Sequence, residues 1–355
     1  MNKYCSISIL LYLLISQALA QGVPDSLPQF NLGKIAQVNQ GDSFITFPTD
    51  IGNLEPLMFE ANVNPSFVVR KRKDSRLMAV LTAQITIRMY NEESYPVKTP
   101  SYIPQISAYY LVGAKNSADR STIFVKMGHH SNGQDGSFYN DDGNINLQTG
   151  NFATNFFEMG WLKTDYSSNL KAEKIFKTSL EVHPRSWMLQ ELHGQYSGLR
   201  WHNAFLAYKL PLKMGPRGSI KANFSLKAET MWSLDKLYDW DTFNIKRLNA
   251  SVTFYYHPKF LEDIGFFVRY YHGMDYYNIY FQHRLDAEIL WYFFNRGKTL
   301  LWISLDDIPS YSCGITCEMI ESISSLDTSQ FLKESFNFLE ENGSRFPELF
   351  LIIIC

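Results

Sequence analysis

In "SIKANFSLKAE" the side chains of Ile220, Ala222, Phe224, Leu226 and Ala228 alternate with those of Lys221, Asn223, Ser225, Lys227 and Glu229. Residues two apart on a strand share a face, so this stretch makes a strand with one oily side and one ionised side. "LNASVTFYY" does the same, with Leu248, Ala250, Val252, Phe254 and Tyr256 against Asn249, Ser251 and Thr253. In "YNIYFQHRLDAEI", Tyr277, Ile279, Phe281, Leu285, Ala287 and Ile289 oppose Asn278, Gln282, Arg284, Asp286 and Glu288, and Leu77 to Met89 follows the same rule. The alternating segments run about 9–13 residues, long for a globular strand and suited to a tilted membrane strand. Turn-rich stretches such as "KNSADRS", "NDDGN" and "KMGPRGS" separate them. Roughly ten to twelve candidate strands lie between Leu54 and Phe294, enough to close a small antiparallel barrel.

The ends of the chain agree with an exported barrel. Lys3, the apolar run "ILLYLLI" (Ile9 to Ile15) and Ala18-Leu19-Ala20 before Gln21 read as a cleaved secretory signal over residues 1–20. Beyond it no stretch approaches the ~20 apolar residues of a spanning helix, so the chain can enter a membrane only as strands. The 21 Tyr, 26 Phe and 7 Trp suit long strands with aromatic rims better than a helical bundle. A net charge of −2 gives no reason to expect a nucleic-acid partner. Cys313 and Cys317 have no second ligand pair, which argues against a zinc site.

These readings divide the chain into a signal (1–20), an N-terminal periplasmic segment (21–53), a β-barrel of about 12 strands (54–296) and a C-terminal extension (297–355). "AEILWYFF" (Ala287 to Phe294) is the expected closing strand, and "TSQFLKESFNFLEE" in the extension an amphipathic helix. A soluble sandwich alternates too, and its ionised rows suit a water-facing surface as well as a wet lumen. Strand length, aromatic richness and export favour the transmembrane barrel.

One strand breaks the pattern. In "IFVKMGHHSNGQDG" the oily phase Ile123, Val125, Met127 continues onto His129 and Ser131, while His130 points the other way with Phe124 and Lys126. A base beside a nucleophile on one face is the arrangement of nucleophilic catalysis. "GNFATNFFEMGWL" repeats the oddity, with Asn155 among Ala153, Phe157, Met159 and Trp161. A hairpin centred on "NDDGN" (Asn140 to Asn144) brings Asn155 roughly opposite His129. A polar group facing hydrocarbon without a partner costs several kcal/mol, which three clustered polar groups avoid by satisfying one another. Asn155, His129 and Ser131 would then be orienter, base and nucleophile. An H-x-S sequence also arises by chance, and a strand-end His or Asn can be merely interfacial. A His129–His130 metal pair is disfavoured because the two side chains diverge.

"MGHHSNGQDG" resembles the H-x-S-N-G motif of the outer-membrane phospholipase A family. "NEESYPVKTPSYIPQI" (Asn91 to Ile106) is similar to that family's acidic-serine-proline loop and following strand. "ATNFFEMGW" is similar to its asparagine-bearing strand, and "YYHGMDYYNIYFQHRLDAEI" to its last hairpin. The resemblance implies a twelve-stranded barrel in the outer membrane of a Gram-negative bacterium. It also implies a Ser-His-Asn site on the lipid-facing wall near the extracellular rim. By the same resemblance the chain is a phospholipase A1/A2 that hydrolyses acyl esters of phospholipids and lysophospholipids, requires calcium and is active as a homodimer. Ser131 matches the nucleophile, His129 the base and Asn155 the orienting residue. Ser94, Gln134 and, on a longer loop than usual, Asn151 match the calcium contacts. Asp135, Asp141 and Asp142 read as solvated turn residues nearby. A porin or transporter barrel explains alternation and export equally well, but not polar residues in phase with the lipid face.

Overall fold

The computed structural model describes residues 32–46, 57–70, 75–94, 96–113, 120–213, 220–258, 264–295 and 300–304. The expected signal and the helix expected in the extension lie outside these residues. Among the described residues one α-helix, α1 (Leu32–Gln40), precedes fourteen strands. They are β1 (Ser43–Thr46), β2 (Leu57–Val63), β3 (Ser66–Arg70), β4 (Leu77–Tyr90), β5 (Ser101–Val112), β6 (Arg120–Ser131) and β7 (Ala153–Ser167), followed by β8 (Ala172–Val182), β9 (Leu199–Lys213), β10 (Ile220–Ser233), β11 (Leu248–Pro258), β12 (Ile264–Met274), β13 (Arg284–Asn295) and β14 (Leu300–Ser304). Among the described residues no helix is long and apolar enough to cross a membrane.

From β4 to β13 each strand pairs antiparallel with the next, β13 pairs with β1, β1 with β2, and β2 returns to β4. The result is a β-barrel whose path of pairings ends where it began. Its narrowest link is β1, where only Phe44 and Ile45 are in register with β2. β2 and β3 share one side of β4, because Pro65 interrupts the strand and the Ala83 N–H closes the gap by donating to the Pro65 carbonyl at 3.1 Å. Connections at one end are short (71–76, 113–119, 168–171, 214–219, 259–263), and those at the other are long (91–100, 132–152, 183–198, 234–247, 275–283). That asymmetry is the one outer-membrane barrels have between periplasmic turns and extracellular loops.

The two faces of the wall differ as the alternation requires. Ile123, Met159, Trp161, Phe176, Leu180 and Phe254 face outward, and Ile123 and Met159 are 47% and 52% exposed. A continuous band of such residues is unfavourable against water and favourable against hydrocarbon. Inside, the charges are matched. Glu158 is held by Lys126 at 2.9 Å and Lys177 at 2.7 Å, and receives the Ser179 hydroxyl at 2.6 Å. Arg88 pairs with Glu60 at 2.6 Å and Asp275 at 2.5 Å, with its guanidinium 4.2 Å from the Tyr277 ring centre. Buried ions tolerate such a place only when paired, so the lumen is a packed interior.

Two parts of the chain depart from the division drawn from sequence. Segment 21–53, expected in the periplasm, contributes α1 to the lumen and β1 to the wall. Leu32, Ile35 and Ala36 are buried among Val68, Val80, Tyr109, Phe124 and Leu162 at the short-turn end. Asn39 donates to the Tyr109 hydroxyl and Gln40 to that of Thr82, each at 2.9 Å. The short apolar stripe of α1 gave no strand signal, and its partners are inward residues of distant strands. The second departure is at the other terminus, where residues 300–304, assigned to the extension, form β14 and pair in parallel with β3.

The alternation in Tyr277 to Phe281 is not that of a strand, since β13 begins at Arg284. A turn through Asn278, whose φ is 142° and whose carbonyl accepts from Phe281 N–H at 3.1 Å, folds these residues over the long-loop mouth. There Tyr277, Ile279 and Phe281 pack with Phe138, Phe152 and Tyr196 from two other loops. An irregular segment buried on all sides can carry the alternating sequence of a strand by composition alone.

Candidate active site on the outer wall

The pairing of β6 with β7 sets the site. His129 lies directly opposite Asn155 and Ser131 opposite Ala153, with Tyr102 of β5 on the other side of Ser131. The hairpin turns where the Asn-Asp-Asp-Gly-Asn signal stands: Asn140 N–H donates to the Asn144 carbonyl at 2.8 Å, and Gly143 takes a φ of 81° that a side chain would resist.

His129 Nδ1 and Asn155 Oδ1 are 2.9 Å apart. Asn155 Nδ2 donates to the Trp187 carbonyl at 3.1 Å. A carbonyl can only accept, so this second bond fixes which end of the amide faces His129. The atom presented is Oδ1, also an acceptor only. Nδ1 of His129 must then carry the proton, and Nε2 keeps its lone pair. An imidazole in this tautomer could accept a proton at Nε2, and Ser131 lies two residues along on the same face. Asn155, His129 and Ser131 are all partly buried, in the outward phase of Ile123 and Met159.

The inward neighbours brace this row. His130, 5% exposed, shares a hydrogen bond with the Ser101 hydroxyl at 3.2 Å and packs edge-on against Phe152. Ser101 in turn donates to the Tyr277 carbonyl in the loop cap. Thr154 bonds His183 Nδ1 at 2.9 Å. Asn132, buried beside the motif, ties the ends of the 132–152 loop together. Its Nδ2 donates to the Gly150 carbonyl at 2.8 Å, and its Oδ1 accepts from Phe152 N–H at 3.0 Å and Gln134 N–H at 3.3 Å. Asn132→Ala is expected to lower unfolding free energy by roughly 2–3 kcal/mol, since it strands these buried backbone groups; denaturant midpoints of the purified protein measure it.

The residues matched to calcium lie on two loops of the same end. Ser94 is exposed in the 91–100 loop with a φ of 69°. Gln134 and Asn151 stand at the two ends of the 132–152 loop, where Asn151 N–H donates to the Gly136 carbonyl at 2.9 Å. Among the described residues no three His, Cys, Asp or Glu side chains group closely enough to hold a metal. A cation here would rest on hydroxyl, amide and carbonyl oxygens, a set that suits calcium and not zinc. Asp142 serves its own turn, accepting from Asn144 N–H and Nδ2 at 2.9 Å each; those bonds hold its carboxyl below the usual range. Sequence reasoning missed Trp187, Thr154 and His183: Trp187 meets Asn155, and His183 meets Thr154, only because the 183–198 loop returns to β7, a tertiary event with no local pattern.

No family model matches the chain, and no curated protein matches it in sequence. Among solved structures, the outer membrane phospholipase A of Escherichia coli is similar at 11% identity and a TM-score of 0.45, over 79% of this chain and 96% of that one. The Salmonella typhi outer membrane phospholipase dimer with bound calcium is similar at 12% identity and a TM-score of 0.47, with the same coverage of both chains.

Proposed function

We propose that this chain is an outer-membrane phospholipase that hydrolyses acyl esters of phospholipids and lysophospholipids at Ser131, His129 and Asn155, with calcium and as a homodimer. The observation that carries the reading is the His129–Asn155 hydrogen bond in the outward rows of β6 and β7, beside Ile123, Phe157, Met159 and Trp161. A polar pair in a lipid-facing row costs stability, which makes it a functional-site candidate. The motif "HHSNG" and its neighbours support the same chemistry. A lipid lying along the wall brings its ester to the rim. His129 Nε2 takes the proton of Ser131 as Oγ attacks the ester carbonyl, then returns it to the leaving glyceryl oxygen. Water, deprotonated by the same nitrogen, releases the fatty acid. Asn155 keeps the imidazole in the tautomer that can do this, but it has no charge with which to stabilise the imidazolium. Calcium, held by Ser94 and the carbonyls of Gln134 and Asn151, would supply positive charge for the developing oxyanion.

The porin alternative requires a wet, open lumen. The paired Glu158, Lys126 and Lys177 and the helix α1 at the short-turn end favour the enzyme. The test is release of fatty acid from phospholipid by detergent-purified protein. Asn155→Ala is expected to lower kcat roughly 10- to 100-fold while the barrel stays folded, because orientation is lost but the base remains. Excess chelator is expected to abolish turnover and added calcium to restore it; undiminished hydrolysis in chelator removes calcium from the proposal.

A further inference from the structure

We infer that Thr154 and His183 are positioning residues, which hold the carbonyl of Trp187 against Asn155 and so set the tautomer of His129. The inference rests on the proposed Ser131–His129–Asn155 chemistry. Beyond β8 the chain passes through His183 and Pro184 into the short 3-10 turn Arg185–Trp187. The next residues return to the start of β7: Met188 bridges Thr154, and Leu189 N–H donates to the Ala153 carbonyl at 3.2 Å. Trp187 is thereby placed to accept from Asn155 Nδ2.

His183 roots this segment. It is 4% exposed, its N–H donates to the Gly198 carbonyl at 2.8 Å, and its ring lies 5.3 Å from that of Tyr196. Its Nε2 faces Glu181 Oε1 at 2.8 Å, and Glu181 is held by Arg200 at 2.9 Å. Burial, and then the charge of Arg200, push the His183 pKa below its ordinary value, so the ring is neutral at neutral pH. A neutral ring that donates from Nε2 to the carboxylate must accept at Nδ1, and the donor it meets there is Thr154 Oγ1 at 2.9 Å. Residues 154 and 155 are thus gripped from both sides of the wall: Thr154 from the lumen by His183, Asn155 from outside by Trp187.

The grip matters because an amide has two ends. Without the Trp187 carbonyl, Asn155 can rotate and present Nδ2 to His129. Nδ1 would then have to accept, the proton would move to Nε2, and the nitrogen proposed to take the Ser131 proton would lose its lone pair. A displaced loop would switch off the base by way of Asn155.

The experiment is a double-mutant cycle with a spectroscopic arm. Thr154→Val, nearly isosteric, and His183→Ala are each made in the wild type and in Asn155→Ala, with folding checked by heat-modifiability. Each is expected to lower kcat roughly 10-fold in the wild type with KM unchanged, and less than about twofold in Asn155→Ala, where no amide remains to misplace. Ring nitrogen-15 shifts of His129, assigned by its loss in His129→Gln, should report the Nδ1–H tautomer in the wild type and a mixture in Thr154→Val. Equal losses in both backgrounds, or an unchanged tautomer in Thr154→Val, overturn the inference. A wild type that releases no fatty acid, yet shows the tautomer shift, instead defeats the phospholipase reading and leaves the positioning role standing.

Discussion

Ser131→Ala is expected to abolish ester hydrolysis, with a fall in kcat on the order of 10⁶, while leaving a folded barrel. The size follows from the arrangement. Once the nucleophile is gone, His129 and Asn155 have nothing to activate, and what remains is binding and whatever charge stabilises the oxyanion. The fold should be indifferent, because Ser131 is the last residue of β6 and its side chain lies on the outer row rather than in the lumen network. Fatty-acid release per folded barrel, with heat-modifiability as the folding control, is the measurement. A Ser131→Ala protein that retains wild-type turnover would show that another group attacks the ester.

The largest expected effect on stability lies on the opposite face of the same two strands. Glu158→Gln leaves Lys126 and Lys177 facing each other in the lumen without the carboxylate that both of them pair with. Glu158 is 2% exposed, so little water compensates, and a buried ion pair broken from one side typically loses about 3–5 kcal/mol. Replacing Glu158, Lys126 and Lys177 together by apolar residues of similar size should recover most of that, since removing all the charges also removes their desolvation. Denaturant midpoints of the single and triple variants test this. A loss below about 1 kcal/mol in Glu158→Gln would mean a water-filled lumen of high dielectric, and would revive the porin reading.

The parity of His129, Ser131 and Asn155 was legible because side-chain phase is a local property: one residue of slip would move all three indoors. The opposition of His129 to Asn155 was legible because the turn signal lies midway between them. What sequence could not supply is what depends on return of the chain from afar. The α1 stripe looks like any short amphipathic segment until the inward residues of β3 to β9 surround it. Tyr277 to Phe281 imitates a strand in sequence alone: in the cap Asn278 and Tyr280 are as buried as Tyr277, Ile279 and Phe281. The hold of Trp187 on Asn155 uses a backbone carbonyl, which carries no residue signature at all.

The central claim is that Ser131 is an activated nucleophile facing hydrocarbon. It is tested most directly by treating the detergent-purified protein with a long-chain alkyl phosphonofluoridate and locating the adduct by mass spectrometry. One adduct on Ser131 is predicted, formed rapidly in the wild type and at least about tenfold more slowly in His129→Gln and Asn155→Ala. Hydrolysis of phospholipid by a protein whose Ser131 stays unmodified, or an adduct that forms on Ser131 equally fast without His129, would contradict it.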